Sequence, residues 1–178
     1  SEMTTSAFER VLLENSLRQA LKLEQFEVYY QPQLDLRDGR LVGAEALIRW
    51  HQPEMGLVAP DRFIPLAEET GLIVPIGEWV LQTACRQVRE WQEAGLPIGR
   101  IAVNLAGQQL RRGDLIKTVE QALDRSGLSP HSLELEITES FIMQQAEKAI
   151  EVLGHLRELG VMLSIDDFGT GYSSLSYL

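Results

Sequence analysis

Five short stretches of this chain alternate apolar and polar side chains with a period of two, and the polar set of each includes an acid or an amide. Successive side chains on a β-strand point to opposite faces, so position parity sorts them into two sides. Along 42–50, Val42, Ala44, Ala46 and Ile48 share one side, while Glu45, Leu47 and Arg49 share the other. Along 100–105, Ile101, Val103 and Leu105 oppose Ala102 and Asn104. Along 133–138, Leu133, Leu135 and Ile137 oppose Glu134, Glu136 and Thr138, and along 161–166, Val161, Leu163 and Ile165 oppose Met162, Ser164 and Asp166. The first stretch sets Val28 and Tyr30 against Tyr29, Gln31 and Gln33. Strands of all-parallel sheets are ordinarily apolar on both sides, so this one-sided polarity needs a cause.

The segments between these strands set the fold class. Residues 7–23 contain no Pro or Gly and space their apolar residues helically. Phe8, Val11 and Leu12 are expected on one face, continued by Leu17, Ala20 and Leu21, either as an outer helix of the domain or as a connector from an upstream one. We therefore divide the chain into a connector or first helix at 1–24 and one domain at 25–178. Two extended stretches flank Arg37-Asp38-Gly39-Arg40, and Asp-Gly is a strong hairpin signal. Helical patterns at 60–70, 75–94, 113–126 and 143–159 then alternate with the strands, and Gly95, Gly127 and Gly160 stand where helices should stop. A hairpin followed by helix–strand units predicts a mainly parallel sheet covered by helices. A closed barrel and an open doubly wound sheet both satisfy that pattern.

The totals exclude some functions. With 26 acidic and 16 basic residues the formal charge is -10, which argues against a broad surface for duplex nucleic acid. Cys85 is the lone cysteine, so an internal disulfide and a thiolate zinc cluster are both ruled out; within a helical pattern it reads as a small buried apolar residue. No apolar run approaches the roughly 20 residues that span a bilayer, and we expect a cytoplasmic domain, with any membrane anchor lying elsewhere in a longer parent.

Carboxylates on the inner side of a sheet cost heavily in desolvation unless something positive compensates them. Glu45, Glu136 and Asp166, with Asp167 at the strand end and the amide oxygen of Asn104, form a hard-oxygen set suited to Mg²⁺ or Mn²⁺. Arg49, on the side of Glu45, can face a phosphate. Any single acid at a strand end is more often a cap or half of a salt bridge; the same polarity on four strands is what favours a shared metal site. His51, His131 and His155 fit no zinc spacing. Asp167-Phe168-Gly169 lacks the other kinase blocks, and Gly169-Thr170-Gly171 lacks the Gly-Lys-Ser/Thr of a Walker loop.

The blocks YYQPQLDL, AEALIRW, FIPLAEETGLI, VNLAGQQL, LELEITES and DDFGTGYSSL resemble, in order, those of the EAL domains, named for the triplet Glu45-Ala46-Leu47. The resemblance implies a (β/α)8 TIM-type barrel with an antiparallel first strand, incomplete here with about five strands. It implies a cyclic di-GMP phosphodiesterase that hydrolyses its substrate to linear pGpG with Mg²⁺ or Mn²⁺, two ions when complete. By resemblance, Glu45, Asn104, Glu136, Asp166 and Asp167 are metal ligands, and Glu45, Asp166 and Asp167 carry the catalysis. Gln31, Leu47 and Arg49 match substrate contacts. Glu139 matches the glutamate that steadies the loop after the fifth strand, and Phe168, Gly169, Thr170 and Gly171 match that loop, which is tied in the family to dimer contacts and regulation. The family's catalytic lysine and general-base position find no counterpart before Leu178. We expect a longer parent, with an upstream sensory or GGDEF domain, to supply them and to form a homodimer. The 178-residue piece alone is expected to be inactive. The rival reading is a non-catalytic cyclic di-GMP-binding or regulatory module.

Overall fold

The computed structural model of the chain describes residues 2–112, 114–138, 142 and 146–166, with backbone alone for 2–6, 112, 146 and 166. Helix α1 spans Glu2–Ala20 and leads into strand β1, Phe26–Leu34. Strand β2, Leu41–Gln52, returns antiparallel to it, from Phe26 opposite Trp50 to Leu34 opposite Leu41. The connecting turn is the expected Asp-Gly one: Gly39 has a φ of 70°, and the Asp35 N–H donates to the Arg40 carbonyl at 2.8 Å.

After the hairpin the chain alternates as expected. It forms β3 at Gly56–Val58, α2 at Pro60–Thr70, α3 at Ile73–Glu93 and β4 at Arg100–Asn104. Next come α4 at Gly107–Arg112, α5 at Leu115–Ser126, β5 at Leu133–Thr138, α6 at Ala146–Glu158 and β6 at Met162–Asp166. The sheet runs β1-β2-β4-β5-β6, with every pair after β1–β2 parallel along that path. Gly95, Gly127 and Gly160 all take left-handed φ, 82°, 69° and 97°, at the helix stops expected of them.

Two elements depart from expectation. The sheet has six strands among the described residues, one more than the five anticipated, because β3 pairs antiparallel with the end of β2. Its turn is closed by Gln52, whose Oε1 accepts the N–H groups of both Glu54 and Met55 at 2.6 Å; three residues are too short for a periodicity to register. In α1, Leu17 and Ala20 are buried, yet Phe8, Val11 and Leu12 are half or more exposed, so among its described side chains only those of the last turns reach the core.

The apolar parity set faces the helices. Ala44, Ala46, Ile48, Ile101, Val103, Leu133, Leu135, Ile137 and Val161 are all buried in one core. Ile165, at 50 % exposure, departs from the set: it lies on β6, the edge of the sheet among the described residues. Helix α3 supplies the largest cover, with Ile73, Ile76, Val80, Leu81, Ala84, Cys85 and Val88 buried at the i, i+3, i+4 spacing of one face. Trp91 meets Tyr30 edge-on at 4.8 Å between ring centroids, and Trp79 packs on Phe26 at 6.0 Å. Cys85 is enclosed, and burial pushes its thiol up to about 12, as befits an inert core residue.

Two positions test this packing. Phe63, fully buried between Phe26 and Trp50, is expected to cost about 3–5 kcal/mol in urea unfolding when changed to Ala; a loss under about 1 kcal/mol contradicts the aromatic core. Gly43 pairs with Arg100 across β2 and β4, and a Cβ there would lie 2.7 Å from Arg100 Cγ and 2.8 Å from its carbonyl oxygen. Gly43→Ala is therefore expected to destabilise by about 1–3 kcal/mol, and a neutral result in the same measurement contradicts the register.

Candidate active site

The other side of the sheet gathers the polar parity set. Glu45 on β2, Asn104 at the end of β4 and Glu136 on β5 are each partly buried. Asn104 Nδ2 donates to Glu45 Oε1 at 3.1 Å, joining residues 59 positions apart in sequence. On its other flank Asn104 stands in register with Glu136, and neighbouring strands lie about 4.8 Å apart. The ladder continues past the strand end, where the Leu105 N–H donates to the Glu136 carbonyl at 2.9 Å. Three of the five residues expected to ligate metal are thus brought side by side. The site lies toward the C-terminal ends of the parallel strands, where sheets covered by helices place their ligands.

The next row is partly outside the described residues. The backbone of Asp166 pairs with Thr138 across β5 and β6, one strand beyond Glu136. The Asp166 side chain, Asp167, Glu139, Phe168, Gly169, Thr170 and Gly171 lie outside the described residues. Among the described residues no three acids, histidines or cysteines form a metal cluster. The described donors are two carboxylates and an amide, hard-oxygen ligands that fit Mg²⁺ or Mn²⁺ and not a thiolate or imidazole metal. Asn104 turns its Nδ2 to Glu45, and of the two polar atoms of that amide only the oxygen has the chemistry of a metal ligand.

The same side carries the expected substrate contacts. Gln31 sits opposite Glu45, and Tyr29 opposite Leu47, across the β1–β2 pair. Arg49 stacks its guanidinium 5.3 Å from the centroid of the Tyr29 ring, and its Nη1 donates to the Ile48 carbonyl at 2.9 Å. A planar cation lying on an aromatic face loses little freedom when it meets a phosphate. Gln31 is exposed, whereas Leu47 is buried at 7 % exposure. Glu134, two residues before Glu136 on the same side, faces Arg100 Nε at 3.5 Å. Here the ordinary salt-bridge reading of a strand acid holds, and it separates Glu134 from its neighbour.

Sequence reasoning missed the turn after β4. Helix α4 begins at once, and the side chain of Gln109, at 5 % exposure, accepts the Ala106 N–H at 2.8 Å through Oε1. The signal was present as Ala106-x-x-Gln109, the spacing of a capping box without its hydroxyl residue. Gln108 of the same helix donates from Nε2 to the Glu68 carbonyl. Burial raises the Glu68 carboxyl above its usual range, and Arg111 pulls it partly back. Leu47, Ile76, Gly77, Asn104, Ala106 and Gln109 together line a recess beside the Asn104 amide.

Comparison with known proteins places this geometry in a family. The EAL domain profile matches residues 14–178. The bifunctional diguanylate cyclase/cyclic di-GMP phosphodiesterase MucR of Pseudomonas aeruginosa is 49% identical over 178 residues, covering 100% of this chain and 26% of MucR. The cyclic di-GMP phosphodiesterase NbdA of the same organism is 48% identical over 177 residues, covering 99% of this chain and 23% of NbdA. The structure of the P. aeruginosa MucR phosphodiesterase in complex with cyclic di-GMP superposes with a TM-score of 0.85 at 49% identity, over 93% of this chain and 67% of that one. The chain therefore spans about a quarter of the length of these curated relatives. Its sheet, a hairpin strand followed by parallel helix–strand units, is the α/β fold of these TIM-like barrels. With Glu45 and Leu47 of its signature triplet on the polar side of β2 and its profile matched from residue 14 onward, the chain belongs to the EAL domain family.

Proposed function

We propose that this chain is the metal-binding part of a cyclic di-GMP phosphodiesterase, which hydrolyses the cyclic dinucleotide to linear pGpG. The observation that carries the reading is the contact of Asn104 with Glu45 beside Glu136, three hard-oxygen side chains from three strands in one row. Two relatives that bear this activity in their names, matched over nearly the whole chain, support it.

Glu45, Glu136 and the oxygen of Asn104, with Asp166, would hold one divalent cation, and Asp167 would contribute to a second. Mg²⁺ and Mn²⁺ suit these donors. When bound, such ions lower the pKa of a water and offset charge on the phosphate during an in-line displacement. In the reaction the water oxygen bonds to phosphorus and the P–O3′ bond breaks; the 3′ oxygen leaves with a proton, and the phosphate stays on the 5′ carbon. Arg49 presents its fork to the non-bridging phosphate oxygens, steadied by Tyr29. Gln31 and Leu47 contact the substrate, Leu47 from the buried edge of the site and Gln31 from its open edge. Glu139 would steady the run Phe168, Gly169, Thr170 and Gly171, which would govern activity and meet a second subunit. A sensory or GGDEF domain upstream supplies the input.

No helix among the described residues is long and apolar enough to cross a membrane. We assign the domain to the cytoplasm, where the dinucleotide is found.

Two experiments test the assignment on the full-length protein. With Mg²⁺ or Mn²⁺, chromatography should show cyclic di-GMP converted to pGpG, halted by EDTA. Glu45→Gln, which keeps the shape and removes the ligand charge, should lower kcat by at least about 100-fold, the upper end of effects from outer-shell changes. Binding of the dinucleotide by the wild-type protein without turnover contradicts hydrolysis and leaves a receptor. Arg49→Lys should lower kcat/KM about 10-fold, since it retains charge but loses the fork; an unchanged value removes Arg49 from the phosphate.

A further inference from the structure

Asn104 is the last residue of β4, so its direction depends on the turn that follows. That turn is short: Ala106 already precedes the first residue of α4. An alanine cannot cap a helix with its side chain, and the Ala106 N–H needs an acceptor. Gln109 supplies it. Its Oε1 accepts the Ala106 N–H at 2.8 Å, while its own backbone N–H donates to the Ala106 carbonyl at 3.0 Å. Two bonds in opposite directions clamp Ala106, and the Leu105 N–H fastens the same turn to β5 through the Glu136 carbonyl at 2.9 Å.

The seat of the Gln109 side chain lies on α3. Gly77 sits inside that 21-residue helix, where glycine costs about 1 kcal/mol relative to alanine. A Cβ at position 77 would fall 2.2 Å from Gln109 Nε2 and 2.6 Å from its Cδ. The space Gly77 leaves open is the space the buried amide fills. That vacancy explains a helix-weakening residue at this point.

We propose that Gln109 is a positioning residue for Asn104, locked in place by the notch at Gly77, and that the pair sets the cation affinity of the site. The inference rests on the metal-site reading above. A ligand held in productive geometry tolerates displacement of only about 0.5 Å, and Asn104 has just one residue, Leu105, between it and the clamped Ala106. The Oε1 of Gln109 is engaged by the Ala106 N–H, and the residue acts on Asn104 through the turn.

The test uses the full-length protein and Mn²⁺ alone, with affinity read by Mn²⁺ paramagnetic resonance and folding by circular dichroism. Gln109→Ala should raise the Mn²⁺ Kd about 10-fold, within the range of changes behind a ligand. Gly77→Ala should do the same, although helix propensity alone would make it stabilising. In the double variant, Gly77→Ala should add nothing, because its methyl enters the space the glutamine vacated. Should Gln109→Ala fail to fold, Gln109→Met, close in volume but without the acceptor, takes its place with the same expected loss. Wild-type Mn²⁺ affinity in both single variants overturns the proposal, as does a loss from Gly77→Ala that persists in the double. If the wild-type protein takes up no Mn²⁺, the metal-site reading fails. The positioning role is then read without cation, from the Asn104 side-chain amide resonances by ¹⁵N NMR. Displacement of those resonances in Gln109→Ala sustains it, and unchanged resonances overturn it.

Discussion

The hydrogen bond from Asn104 Nδ2 to Glu45 Oε1 ties together the polar side of the sheet. A carboxylate placed between strands loses much of its hydration, and that loss is tolerated only when donors or a cation replace the water. Asn104 replaces part of it and so links β2 to β4 on the side opposite the hydrophobic core. The same rule operates lower in the sheet, where Arg100 answers Glu134 at 3.5 Å. The acids on the polar side thus divide by neighbour: Glu134 meets a fixed protein cation, whereas Glu45 meets an amide that adds no charge. An acid of the second kind keeps its negative potential, which is what the proposed cation site requires.

The core and the site are two consequences of one pattern. Because strand side chains alternate, burying Val103 and Leu135 in the core obliges Asn104 and Glu136 to emerge on the far side. A one-residue slip in β4 would carry Asn104 into the core and a valine into the site, so the apolar packing that specifies register also specifies the polar row. Gly43 belongs to the same logic: with Arg100 against its backbone, it lets β2 and β4 approach in the register that makes Glu45 and Asn104 neighbours.

Much of this was legible in the sequence, for identifiable reasons. Period-two alternation around Glu45, Asn104 and Glu136 and the glycine stops at 95, 127 and 160 are local signals, and the structure keeps them. The short strand Gly56–Val58 was not legible, since its existence depends on Gln52 closing a turn, not on its own three side chains. Nor was α4, which opens on glycine and is capped by a glutamine three residues beyond an alanine. The exposure of Phe8, Val11 and Leu12 was unreadable for another reason: helical spacing shows that residues share a face without showing what that face meets. The role of Gly77 required the distance to Gln109, a residue 32 positions away.

Anomalous diffraction from crystals of the full-length protein grown with Mn²⁺ would locate the cation itself. A peak is expected within coordination distance, about 2.0–2.3 Å, of carboxylate oxygens from Glu45 and Glu136 and of the Asn104 amide oxygen. A Mn²⁺ peak held by other residues, with this row of side chains left without an ion, would contradict that expectation.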